Sequence, residues 1–478
     1  MFKKIILIVS VIIILVLVIA SAGIYWALGK INSPEFKHFI ETKISATTGI
    51  DVEFEKLHIG LSNAEVTNLT IPAKDALGDE NFLQVKGIKV HYNILKLFNS
   101  PLTIDKIEIE DPILIARQNA SGSLILPIEK APATAAKIES KERTFISLPE
   151  IYLRNANLSI FASDQSLLFS AAQSYAQASY AKLGNGQEVN ANLSVKKIFI
   201  TPGLNLGDFT APIVYKGNRL TVDKIQSVFY GGNLSGSASL DLGVAPSAFN
   251  TNITVSGADL GGLLGNLGAS PDTIGGKFDL NFNGNGNLDS PKNLTGSGDL
   301  IIPSPVIGKL KAYQNITQII GTIGGISVLK EGKFDNIKTM FTISEQKLQL
   351  NPLAVNSPNL TISLGGAVGF DQNLDLKGEV ILAPGILQVA QTVENILNTV
   401  NTISHPDTPP ATAPQTPGML KFPLTVSGPA TDPKIGLDIN STLPNQQEKT
   451  SNIINGLSNL FNKKTAPAPA NDSPAPAN

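Results

Sequence analysis

Chemistry at neutral pH needs titratable or nucleophilic side chains at matched spacings, and this 478-residue sequence offers few. Its four histidines, His38, His58, His91 and His405, are widely separated, and the last sits in a Pro-rich stretch. No H-E-x-x-H or His-x-His accompanies them, and there is no cysteine, so zinc-type sites, disulfides and thiol nucleophiles are all disfavoured. No nucleophile elbow, P-loop or S-x-x-K occurs in a supporting context. The Gly-rich tract from Gly257 to Gly268 is interleaved with Leu260, Leu263, Leu264 and Leu267, which predicts turn and packing rather than a phosphate cradle. The sequence therefore predicts no enzyme activity, no cofactor and no metal. Lys and Arg number 37 against 39 Asp and Glu, which lacks the basic surplus a nucleic-acid partner demands.

What remains to be placed is apolar surface. Hydrophobic residues make up 42% of the chain, enough for a core, and only 16% is charged, below the usual share of about 25%. From Ile5 to Leu28 no residue is charged, and at about 1.5 Å per residue this run exceeds a hydrocarbon core of about 30 Å. Lys3 and Lys4 precede it, placing the N-terminus in the cytoplasm, with Tyr25 and Trp26 at interfacial depth. Ala20-Ser21-Ala22 offers the alternative of a cleaved leader, but the apolar run continues past it to Leu28, which favours an anchor over residues 1–29.

A short helix is predicted from Pro34 to about Thr48, with Ser33 as N-cap, a stripe of Phe36, Phe39, Ile40 and Ile44, and Gly49 as its stop. The period then changes from 3.6 to 2. Apolar residues alternate with polar ones at Val52 and Phe54, at Leu57, Ile59 and Leu61, at Ile88, Val90 and Tyr92, and at Ile107 and Ile109. The pattern returns at Leu193 and Val195, Leu220 and Val222, Phe278, Leu280 and Phe282, Leu360, Ile362 and Leu364, and Leu374 and Leu376. Gly231-Gly232-Asn233, Asn283-Gly284-Asn285-Gly286 and Gly365-Gly366 are expected to be the turns between strands. The expected fold is mainly β: a long antiparallel meander with few helices. It divides into a first β region over 30–130, a linker over 131–145, and a second β region over 146–445 with helices near 309–329 and 384–404. An amphipathic helix over 446–464 and a disordered Pro- and Ala-rich tail over 465–478 follow.

Several stretches together carry a family resemblance. The anchor followed by FIETKISATTGIDVEFEKLHIGLSNAEVTNLTIP and LTIDKIEIEDPILIARQNASGSL resembles the N-terminal region of the AsmA family of bacterial envelope proteins. FYGGNLSGSASLDLG, GADLGGLLGNLG, the run from FDNIKTMF to LKGEVIL, and FPLTVSGPATDPKIGLD are similar in wording and order to that family's C-terminal region. The linker at 131–144 and the Pro-rich stretch at 405–418 depart from it. The resemblance implies an inner-membrane anchor and a periplasmic body curled into an apolar groove, as in chorein-type bridge-like lipid transfer proteins. Such a protein would carry phospholipid between inner and outer membranes, with an outer-membrane or periplasmic partner protein. The groove would be lined by Ile88, Val90, Tyr92, Ile107, Ile109, Leu220, Val222, Phe278, Leu280, Phe282, Leu360, Ile362, Leu364, Leu374 and Leu376. Two alternatives stay open on the residues alone: the dry faces close on one another in barrels or sandwiches without a ligand, or the protein is a scaffold for assembling outer-membrane proteins.

Overall fold

A computed structural model describes residues 33–60, 62–73, 81–92, 104–125, 127, 149–183, 186–243, 246–268, 274–287, 290–307, 313–314, 334–358, 360–383, 420–430 and 433–438. The expected anchor with Ile5, Trp26 and Leu28, the linker 131–145, the helices near 384–404 and 446–464, the Pro-rich stretch and the tail lie outside the described residues. So does all but 313–314 of the helix near 309–329. Among the described residues no helix is long and apolar enough to cross a membrane.

The described chain is mainly β and mostly antiparallel. It forms two compact units, one reaching to Ile302 and including Thr342–Gln346, the other made of Pro303–Phe341 and the residues from Lys347 onward. The first opens with helix α1 (Pro34–Thr48) and the strands β1 (Lys56–Ile59), β2 (Asn63–Pro72), β3 (Asn81–Tyr92), β4 (Ile104–Glu110), β5 (Ile113–Gln118) and β6 (Leu124–Ile125). Nine further strands follow: β7 (Glu150–Phe161), β8 (Leu167–Leu183), β9 (Gly186–Ile200), β10 (Leu204–Lys216), β11 (Arg219–Phe229), β12 (Gly232–Asp241), β13 (Ala248–Asp259), β14 (Lys277–Asn287) and β15 (Ser290–Pro303). Between β13 and β14 the Gly-rich tract folds as a short helix, α2 (Leu260–Asn266), where the sequence predicted turn and packing. Asp259 makes the helix possible, its carboxylate accepting the Gly262 N–H at 3.0 Å.

Helix α1 begins and ends where its capping residues dictate. Ser33 Oγ accepts the Phe36 N–H at 3.3 Å, and Gly49, at φ +71°, returns its N–H to the Ser45 carbonyl at 2.8 Å. Phe36, Ile40 and Ile44 point into the core. Phe39, expected in the same stripe, is instead 44% exposed and stacks on Phe36 with ring centroids 6.3 Å apart.

β7 pairs in parallel with β4 (Ile107↔Ile151) and, in the same register, with β5 (Leu114↔Leu158), a departure from the expected antiparallel meander. A parallel neighbour requires a long return connection, and the chain between Gln118 and Glu150, which includes the predicted linker, supplies it. From β7 to β15 each strand pairs with the next as an antiparallel hairpin.

A transverse line of left-handed residues interrupts these strands. Asn68 on β2, Asp111 between β4 and β5, Asn155 on β7, Gln173 on β8 and Asp208 on β10 have φ between +47° and +53°. Their registers align: Asn68 falls opposite Lys86, Lys86 opposite Asp111, Asp111 opposite Asn155, and Gln173 opposite Lys196 and then Asp208. A residue in this conformation bends its strand and shifts the alternation by one. On β2 the buried positions change from Ala64 and Val66 to Leu69 and Ile71. On β10 the inward set changes from Leu204 and Leu206 to Phe209, Ala211 and Ile213. Asn and Asp tolerate this backbone, and their side chains are fixed there. Asn155 Nδ2 donates to Asp111 Oδ1 at 2.7 Å, Lys86 Nζ to Asp111 Oδ2 at 3.1 Å, and Lys196 pairs with Asp208.

The second unit contains β16 (Asn336–Ser344), most of which belongs to it, together with β17 (Lys347–Asn356), β18 (Leu360–Gly369), β19 (Asn373–Leu382), β20 (Leu420–Pro429) and β21 (Lys434–Leu437). Val355, Ile362, Val380 and Phe422 are direct register neighbours across β17 to β20 and are all buried.

The left-handed line gives the first testable outcome. Asn155→Val, a branched side chain at φ +53° that also loses the bond to Asp111, should lower unfolding stability by about 2–3 kcal/mol. Asn155→Gly should cost about 1 kcal/mol, the hydrogen bond alone. Denaturant midpoints measure both; equal losses would show that the backbone conformation is not the constraint.

A continuous apolar face as the candidate functional site

Residues directly opposite one another on neighbouring strands share a face, so the registers can be followed as rows. One row runs through Leu57, Val66, Ile88, Ile109, Leu153, Ala176, Leu193 and Ala211, from β1 to β10. Beside it run Ile59, Ala64, Val90, Ile107, Ile151, Ala178, Ala191 and Ile213. Farther along the sheet, Tyr180, Val189, Tyr215, Leu220, Leu240, Phe249 and Gly286 form a row from β8 to β14. Ser227, Leu234, Val255, Leu280 and Leu300 form another, from β11 to β15. No Lys, Arg, Asp or Glu occupies a position on these four rows. Ser227, the one aliphatic hydroxyl among them, donates to the Gly207 carbonyl at 2.8 Å.

The face is covered at one end and half-open beyond it. Ile88, Val90, Ile107 and Ile109, at 1 to 7% exposure, belong to one buried cluster with Phe36, Ile40 and Ile44 of α1. These four were expected to line an open groove; the structure makes them core residues, in a cluster that also holds the apolar side chains of α1, β1 and β2. Tyr92, expected with them, packs half-buried against the same cluster. Its hydroxyl donates to the Gly60 carbonyl at 2.6 Å, closing the β1–β2 turn, and burial pushes its pKa up. Past β4 the same rows change character. Ile151, Leu153, Ala176, Ala178, Ala191, Leu193 and Ile213 are only half-buried, as are Tyr215, Leu220, Leu240 and Phe249.

Of the remaining predicted residues, Leu220, Leu280 and Phe282 are half-buried on this face and Val222 and Phe278 are buried on it. In the second unit Leu360, Ile362, Leu364 and Leu376 are buried and Leu374 is half-buried. Alternation did not single out Tyr180, Tyr215, Leu240 or Phe249, because Ala, Gly and Ser separate them and dilute the pattern.

Two glycine clusters expected as turns lie inside strands. Asn283-Gly284-Asn285-Gly286 belongs to β14, and Gly365-Gly366 to β18. Gly366 has φ +133°, and a Cβ there would stand 2.2 Å from the Asp375 carbonyl oxygen, so close approach of the neighbouring strand explains it. Only Gly231-Gly232 sits at a turn, between β11 and β12.

Charge is concentrated on the opposite face of β2, β3, β4 and β7. Glu108 lies 2.5 Å from Lys106 Nζ, 3.2 Å from His91 Nε2 and 3.2 Å from Arg154 Nη2. The hydrogen bond from Lys106, with those from His91 and Arg154, holds its carboxyl down at about 2 against the opposing effect of burial. Lys106 also lies 4.5 Å from the centre of the Tyr152 ring, and Lys89 bridges Glu65 and Glu110 at 3.7 and 3.6 Å. These partners tie β4 to both neighbours. A separate hollow beside α1, lined by Lys37, Glu41, Asp51, Glu53, Phe54 and Asn68, is spanned by its own contacts, Lys37 to Glu41 at 3.7 Å and the Phe54 N–H to Glu41 at 3.2 Å. Among the described residues no group of three or more His, Asp or Glu is placed to hold a metal ion.

No protein-family model matches the chain, and neither does any curated protein.

Two measurements follow. Folding pulls the Glu108 pKa from 4.5 to about 2, so its contribution to stability is complete above about pH 4.5 and disappears as the pH falls through about 2. Glu108→Gln should be less stable than the parent at pH 7, by about 1–2 kcal/mol after solvent screening, and the gap should close by pH 2. A gap that is constant with pH would show that the carboxylate charge contributes nothing. Separately, Ile362→Asp places a charge between buried Val355 and Val380 and should unfold the second unit. Retained cooperative melting of that unit would show that this row can admit water.

Proposed function

We propose that this protein is an AsmA-like component of the bacterial envelope that carries phospholipid between the inner and outer membranes. In this reading residues 5–28 anchor it in the inner membrane, the N-terminus is cytoplasmic and the β body is periplasmic. The observation that carries the reading is the uncharged apolar face running from β7 to β15, on which partly buried residues such as Leu193, Ile213 and Leu240 alternate with buried ones such as Ala211 and Val255, continuous in register with a buried core at its β1–β4 end. Half-exposed rows of Leu, Ile, Val and aromatic side chains leave apolar area in contact with water. An acyl chain laid along them removes that area, gaining about 0.8 kcal/mol per buried CH₂. Fourteen or more methylenes thus offset much of the cost of leaving a bilayer. Head groups, which lose hydration if buried, stay outside the trough. No bond need be made or broken, which agrees with the absence of a catalytic constellation in the sequence.

Photo-crosslinking in intact cells tests this reading. A photo-reactive residue at Leu193 or Leu240 should yield phospholipid adducts. The same residue at Val90, beneath α1, or at Asn252, whose side chain pairs with Asn283 in an exposed contact, should yield none. Failure to recover lipid at Leu193 and Leu240 in a correctly inserted protein would overturn lipid carriage and return the scaffold alternative.

A further inference from the structure

The long hairpins of the first unit end in two different kinds of rim. The turns of β9–β10, β11–β12 and β13–β14 lie at one end of the strands, and those of β8–β9, β10–β11 and β12–β13 at the other. At the first end α2 acts as a strap. Tyr230, in the β11–β12 turn, donates its hydroxyl proton to the Gly203 carbonyl of the β9–β10 turn and accepts from Asn266 Nδ2 at 3.0 Å, while its carbonyl receives the Asp259 N–H at 2.9 Å. The Asn266 carbonyl lies so close over Gly203 that no Cβ could stand there. Three hairpins are thus joined across their ends. The last row of the face on this side is hydrocarbon, with Phe169, Ile200 and Leu204 as direct register neighbours, and α2 with its C-cap adds Leu263, Leu264 and Leu267. The other end is built differently. There the row nearest the β10–β11 turn is Tyr180, Val189, Tyr215 and Leu220, so two phenols stand among the aliphatics. Tyr215 keeps a half-buried ring in the row and reaches the turn with its hydroxyl, which donates to Asn218 Oδ1 at 3.2 Å. Lys216, Gly217, Asn218 and Arg219 of that turn are all exposed. Lys216 pairs with Glu188 at 3.1 Å, whereas the Arg219 guanidinium keeps, among the described residues, only a 3.5 Å contact with Ser239 Oγ. Asp241, its register neighbour on β12, instead accepts the Gly243 N–H at 2.9 Å.

A diacyl phospholipid laid on the rows must bring its head group out over one rim, because a buried phosphate loses hydration that an uncharged face does not replace. Over α2 it would have to part the Tyr230 hydrogen bonds and cross leucine. Over the β10–β11 turn it meets a phenol, apolar along its ring and polar at its tip, and a guanidinium whose fork of donors matches a phosphate. We infer that the trough is one-sided: the phosphodiester of the carried lipid lies over the β10–β11 turn, against Tyr215 and Arg219, and α2 shuts the opposite rim. This rests on the lipid reading above and adds the rim from which the head group projects and the residues that touch it.

The test uses the full-length protein in vesicles of phosphatidylethanolamine and phosphatidylglycerol that carry one of two photo-reactive phosphatidylethanolamines, with the diazirine on the head group or midway along an acyl chain. Head-group adducts should concentrate on residues 215–219, and acyl adducts at Leu193 and Leu240. Arg219→Gln should cut head-group adducts about three-fold, the scale of one solvent-exposed charge contact, and leave acyl adducts unchanged. Tyr215→Phe, which removes only the hydroxyl, should lower them too. With acyl adducts intact, head-group adducts spread equally over 201–204 and 260–267, or unaltered in either variant, would overturn the inference. So would their displacement by inorganic phosphate while acyl adducts stay, since Arg219 would then serve a free anion. Absence of acyl adducts at Leu193 and Leu240 in the parent protein would instead overturn lipid carriage itself, on which the rim assignment rests.

Discussion

Each strand that crosses the left-handed line must change side-chain parity there, and the apolar face survives only because neighbouring strands change at the same transverse position. Asn68, Asp111, Asn155, Gln173 and Asp208 impose this constraint. Without a shared line, the rows that begin at Leu57 and Ile59 would run outward on the far half of some strands, placing leucine and isoleucine on the charged face. Bulges bend and twist the strands that carry them, so one device both curves the sheet and keeps its dry side continuous. The polar bonds along the line, from Lys86 through Asp111 to Asn155, hold a conformation that L-residues otherwise resist.

Given a single continuous face, what covers it decides what it does. Over β1 to β4 the face belongs to a cluster shared with Phe36, Ile40 and Ile44 of α1, in which Ile88 and Val90 are no more than 2% exposed. That part is an ordinary core. Over β7 to β15 the rows mix partly buried residues with buried ones such as Ala211, Ser227 and Val255, and the residue types change with them: alanines on β8 and β9, then glycines beneath phenylalanine rings on β14 and β15.

Polar chemistry plays the complementary part. The Glu108 network, the Lys89 bridges and the amide contacts around Asn281 all lie on the outer face, where they join strands to their neighbours. They pin the sheet from outside and leave the inner face free of charge. Half-exposed apolar rows next to a well-hydrated charged face give the sheet an inside and an outside without a second layer of sheet being invoked.

The amino-acid sequence alone determined what is local. Period-two alternation made the chain mainly β, and Ser33, Pro34 and Gly49 placed α1 to the residue. Alternation was readable within half-strands such as Ile88 to Tyr92 and Ile107 to Ile109, and it stopped at the parity change because one inserted residue inverts every later position. Only the tertiary structure decided how the halves join. It placed β7 parallel to β4 and β5, turned Phe39 outward, put Ile88 and Ile107 under a helix, and set Gly284 inside a strand beneath Phe282. Those outcomes depend on register between residues far apart in the chain, and register is fixed by hydrogen-bonded partners and covering elements that no local pattern encodes.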